Sequence, residues 1–86
     1  MHTDDQQLSS PGGRFELSED GHTAFADYRL DGATLYIDYV EAPPALRGTG
    51  AAGRLMADLM QRARAEDLKV VPICDYAAVW IKRHPA

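Results

Sequence analysis

Arg47-Gly48-Thr49-Gly50-Ala51-Ala52-Gly53 is a basic, glycine-rich turn, and the residues that follow it carry apolar side chains at helical spacing. A turn of this kind running straight into an amphipathic helix sets the layout of the chain around it, with an anion site at the join. Glycines admit positive φ and bring backbone N–H groups close to a ligand with no Cβ in the way. The first helical turn adds N–H donors that lack intrahelical partners, together with the positive end of the helix dipole. A pyrophosphate is well matched to that combination. The same small residues also allow tight packing of a helix on a sheet, so the local string leaves both readings open.

On the N-terminal side, Pro43-Pro44 stops any strand, because proline lacks the N–H and fixes φ. Residues 34–40 read as a strand, and the Asp31-Gly32 hairpin signal joins it to a strand over 22–30, where Ala24, Ala26, Tyr28 and Leu30 share a face. Glu19-Asp20-Gly21 turns the chain back to a first strand beginning near Arg14, in which Phe15 and Leu17 alternate with polar neighbours. The first half is therefore an antiparallel meander. Residues 1–13 are polar, end in Ser-Ser-Pro-Gly-Gly and offer only Leu8 to a core, so a flexible tail is expected ahead of a single domain over 14–86.

On the C-terminal side, a helix is predicted over 48–66, with Leu55, Met56, Leu59, Met60 and Ala63 inward. Arg54, Asp58, Gln61 and Arg62 face water, and Asp58 with Arg62 forms an i, i+4 pair. Residues 68–74 are an apolar run apart from Lys69 rather than an alternating one, which predicts a strand covered on both faces and parallel to the third. A short helix over 76–83 follows, anchored in the core by Trp80. The order is β-β-β-α-β-α, an α/β fold whose crossover is expected to be right-handed. Ligands in such sheets bind outside the carboxyl ends of parallel strands. Those ends carry Tyr39-Val40-Glu41 and Ile73-Cys74.

The 86 residues, 45% hydrophobic and 26% charged, suit one soluble domain, which at this size buries only roughly 60% of its unfolded surface. A net charge of −4 argues against nucleic acid as the main partner. No apolar run approaches the ~20 residues that cross a bilayer, so no membrane association is expected. Residues 1–11 lack the basic start and apolar centre of a secretion signal, and a cytoplasmic location is the expectation. One cysteine excludes an internal disulfide, and the scattered His2, His22 and His84 point to no metal site.

Three phosphate-loop types compete for the glycine turn. As G-x-G-x-x-G, with Asp75 downstream for a ribose, it would bind a dinucleotide, but residues 41–46 separate the strand from the first glycine and little chain remains for further βα units. A nucleoside-triphosphate loop fails because Arg54 and Leu55 stand where a lysine and a hydroxyl are required. Arg47-Gly48-Thr49-Gly50-Ala51 resembles the third type, the pyrophosphate motif of the GNAT N-acetyltransferase superfamily, an Arg or Gln followed by x-x-Gly-x-Gly/Ala. The resemblance extends to residues 37–44, Leu55-Met56, Val70-Val71-Pro72-Ile73-Cys74 and residues 76–85, and takes in most of 14–85. These are similar to the small single-domain GNAT-like proteins with Pro-x-Cys and Arg-His-Pro segments.

That resemblance implies a minimal GNAT-like fold, acetyl-CoA as co-substrate, no metal, and transfer of acetyl to an amine, either a small molecule or a protein. A non-catalytic acyl-CoA-binding or interaction module is the alternative, since so short a chain lacks the usual substrate-side helices. By the same resemblance, pantetheine lies against the backbone of Tyr39, Val40 and Glu41. Thr49, Gly50 and Ala51 receive the pyrophosphate, and Arg47 and Gly48 shape the turn. An N–H near Val40 would stabilise the developing oxyanion. Cys74 would line the thioester pocket or accept the acetyl group, and Tyr76 would protonate the departing thiolate. Tyr39 stands where many of these proteins have a histidine, and a phenol of pKa about 10 is a poorer base at neutral pH. Glu41 is then the nearest carboxylate. His84 reads as a structural cap.

Overall fold

The computed structural model describes residues 8–84. Strands β1 (Gly12–Glu19), β2 (His22–Asp31) and β3 (Thr34–Glu41) form the meander; α1 (Ala51–Ala65), β4 (Lys69–Pro72) and α2 (Asp75–Arg83) complete the fold. The sheet order is β1-β2-β3-β4, antiparallel except for the parallel pairing of β3 with β4. This is the α/β arrangement predicted from the sequence.

One face of the sheet holds the core. Alternation along β2 and β3 buries Ala24, Ala26, Tyr28, Leu35 and Ile37 against Leu55, Met56, Leu59 and Ala63 of α1. Full burial of a Leu, Ile or Met side chain is worth roughly 1.5–3 kcal/mol, so this layer carries much of the stability. The opposite face carries paired charges, Arg14 with Asp27 and Arg29 with Asp38, each at 2.8 Å. Among the described residues, no helix is long and apolar enough to cross a membrane.

The structure departs from the sequence-based expectations in four places. Packing extends ahead of Arg14 among the described residues: Leu8 is buried, the Ser9 N–H donates to the Tyr28 hydroxyl at 2.8 Å, and β1 begins at Gly12. The remainder of the expected tail, residues 1–7, lies outside the described residues. Helix α1 starts at Ala51 rather than at residue 48, because Gly48 and Gly50 adopt φ of 81° and 88°, which no α-helix accommodates. Arg62 pairs with Glu66 at 4.0 Å instead of with Asp58. Finally, β4 is a short strand at the edge of the sheet, not one covered on both faces. Leu68 and Val70 pack on the core, while Ile73, just past the last paired residue, is 54% exposed.

Candidate functional site

Two local irregularities build the site. The first is a bulge in β3. Ile37 faces Tyr28 and Tyr39 faces Asp27, so Asp38 is an extra residue in the pairing. The insertion reverses the side-chain alternation beyond it. Val40, rather than Tyr39, continues the inward face after Leu35 and Ile37. Tyr39 is turned to the open face beside Phe25, with ring centroids 6.2 Å apart.

Strand β4 stops pairing at the same level. The Ile37 carbonyl accepts from both the Ile73 and Cys74 N–H groups, at 2.9 and 3.0 Å, and the chain then turns into α2. Ile37 therefore has its backbone groups toward β4, as a non-hydrogen-bonded position against Tyr28. Val40, opposite Ala26, occupies the equivalent position after the bulge. Its N–H and C=O point to an edge that β4 has already left. The parallel strands part here, and Cys74, half-buried at the N-cap of α2, stands at the parting.

The second irregularity is the glycine turn. A 3-10 helix over Pro44–Leu46 leads into it, and the positive φ of Gly48 and Gly50 folds the backbone into the start of α1. Some donors in this stretch are used internally. The Thr49 N–H and hydroxyl both donate to the Leu46 carbonyl, at 3.2 and 2.6 Å, and the Ala51 N–H donates to the Thr49 hydroxyl oxygen at 3.2 Å. The Arg54 N–H closes the first helical bond to Gly50 at 3.0 Å. Among the described residues, no acceptor is present for the N–H groups of Gly48, Gly50, Ala52 and Gly53. The free backbone donors are thus set around Gly50, and nothing lies within 4 Å of where a Gly48 side chain would start. The sequence points to this turn but not to Ala52 and Gly53 as the residues with spare donors.

Side chains join the two irregularities. The Tyr39 hydroxyl donates to Glu41 at 2.5 Å, and Arg47 donates to the other Glu41 oxygen at 3.1 Å and to the Ala42 carbonyl at 3.0 Å. Tyr39, Glu41 and Arg47 therefore form one chain from the strand end to the turn. The hydrogen bond from Tyr39, with help from Arg47, holds the Glu41 carboxyl below the usual carboxylate range. The same bond to Glu41 pushes the Tyr39 phenol above its ordinary value, with a lesser contribution from the nearby Cys74 sulfur. Neither group is tuned as a base at neutral pH.

On α2, burial raises the Tyr76 phenol, so it stays protonated well above neutral pH. Its hydroxyl lies 3.9 Å from where a Gly53 side chain would start, and the Trp80 indole nitrogen 3.5 Å away, so both rings sit over the first turn of α1. His84 is apart from this group. It stacks on Trp80 at 4.1 Å and donates from Nδ1 to the Trp80 carbonyl at 2.8 Å, closing the end of α2.

One further pair borders the turn. Arg54 reaches Glu19, at the end of β1, through two 2.7 Å bonds and also donates to the Thr49 carbonyl at 3.2 Å. No sequence spacing announces it, because the partners are 35 residues apart.

Residues 14–86 match the family model described as GCN5-related N-acetyl-transferase. No curated protein matches the chain.

Proposed function

Because this chain belongs to the GCN5-related N-acetyltransferase family, we propose that it transfers acetyl from acetyl-CoA to an amine in the cytoplasm. The observation that carries this reading is the conjunction of free N–H groups at 48, 50, 52 and 53 with the open backbone edge at Val40. Anionic phosphates suit the first, and the amides of pantetheine suit the second, which offers the donor and acceptor of an unpaired strand. Thr49 and Ala51 line the turn, and Arg47 shapes it through Ala42 and Glu41.

The amine nitrogen attacks the thioester carbonyl, a C–N bond forms, and the C–S bond breaks. The Val40 N–H stabilises the negative charge growing on the carbonyl oxygen. Tyr76, a phenol that partial desolvation raises further above neutral pH, gives its proton to the sulfur that leaves. Cys74 lines the thioester end of the crevice. The proton lost by the amine goes to solvent or to Glu41, whose lowered carboxyl accepts it poorly.

That last point favours a second reading, a module that binds acyl-CoA without useful turnover. The two separate in one assay: release of free thiol from acetyl-CoA, followed with and without a panel of small amines and lysine-bearing or free N-terminal peptides. Amine-dependent release with a matching acetylated product is the expected result. CoA binding with no amine-dependent release identifies the second reading instead.

A further inference from the structure

The Arg54 guanidinium is held at three points. Glu19 grips it in a bidentate pair, its own Nη2 donates to the Thr49 carbonyl, and Nη1 lies only 3.0 Å from where a Gly50 side chain would start. The Thr49 carbonyl and the Gly50 N–H belong to one planar trans peptide, so fixing the oxygen fixes the direction of the hydrogen. Anchored by Arg54 on one side, that peptide unit must aim the Gly50 N–H to the opposite side. Bonds from the Thr49 N–H and hydroxyl and to the Gly50 carbonyl hold the residues on either side, but the Thr49 carbonyl itself takes its hydrogen bond from Arg54.

We propose that Glu19 and Arg54 are positioning residues for the donor's pyrophosphate, clamping the Thr49–Gly50 peptide so that the Gly50 N–H is aimed at the ligand before it arrives. The proposal rests on the acetyl-CoA reading and adds to it a role for the β1–β2 hairpin. Preorganisation of this kind lowers the ordering cost of binding, so the clamp acts on affinity for the nucleotide-bearing donor rather than on the acetyl-transfer step. Charge alone does not do this, since the pair is neutral overall.

The test compares acetyl-CoA with S-acetyl-pantetheine, a donor with no pyrophosphate, and uses Glu19→Gln, Arg54→Gln and the charge-swapped double variant Glu19→Arg/Arg54→Glu. Each single variant is expected to raise KM for acetyl-CoA on the order of tenfold, with kcat at saturation nearly unchanged and the kinetics with S-acetyl-pantetheine unaffected. The swapped pair restores the ion pair and the melting temperature but not KM, because a glutamate at 54 cannot donate to the Thr49 carbonyl. Amide exchange at Thr49 and Ala51, whose N–H groups are bonded within the turn, quickens in the ligand-free Arg54→Gln protein. An unchanged acetyl-CoA KM, equal losses with both donors, or recovery of KM by the swap overturns the clamp while leaving the acetyl-CoA reading in place. A parent chain that binds no CoA by calorimetry removes both.

Discussion

Cys74 occupies its place through its backbone. The N–H bonds to Ile37, the carbonyl receives the Ala78 N–H at 3.0 Å, and the half-buried sulfur packs against the core. No histidine or lysine pairs with it among the described residues, so it lacks the neighbour that activates a nucleophilic thiol. Direct attack by the amine is the expected route. Cys74→Ala should therefore keep its CoA affinity and turnover within about threefold of the parent, and intact-mass spectrometry of the parent with acetyl-CoA should show no acetyl adduct. An adduct that an added amine discharges at the turnover rate would contradict this. At this scale, motif membership was legible and partnership was not. Arg47, Cys74 and Tyr76 stand out in the string, whereas Arg54 reads as a water-facing helix residue because its partner lies on a distant hairpin.

Among the elements, the β3 bulge and the glycine turn do most to shape the site. Strand alternation made β2 and β3 readable, but nothing in Ile37-Asp38-Tyr39 announces an inserted residue. The reversal that turns Tyr39 to the open face follows from pairing with β2, which a linear pattern does not encode. The apolar run of 68–74 misled for a related reason. An apolar run does not say which face is covered: both helices pack on one side of this sheet, with Tyr76 and Trp80 of α2 over the first turn of α1, and the other side carries the charged pairs. The glycine turn was legible because its residue types are demanded by its backbone. At Gly50, φ of 88° strains any branched side chain, and a start point 3.0 Å from Arg54 Nη1 would press on the guanidinium. Gly50→Val should weaken CoA binding by tenfold or more while far-ultraviolet circular dichroism shows the fold retained. A folded variant with parental affinity would make Gly50 a packing glycine only.

The molecule as a whole couples a sheet with one buried face to the point where the β3–β4 pairing ends. Its order of elements was legible as far as α1 because each boundary up to there carries a local signal: Asp20-Gly21, Gly32, Pro43-Pro44 and the glycine turn. The size of the core explains why ligand binding should be easy to detect. A ligand at 100 times its dissociation constant adds about 2.7 kcal/mol of apparent stability, a large fraction for so small a domain. The most direct measurement is therefore the melting temperature of the full chain with acetyl-CoA, CoA, NAD and ATP at matched concentrations. Acetyl-CoA and CoA should raise it clearly, because they offer both a pyrophosphate for the turn and a pantetheine for the Val40 edge, and NAD and ATP, which lack the second, should raise it much less. A shift with NAD equal to or greater than that with CoA, or no shift with CoA, would contradict the account.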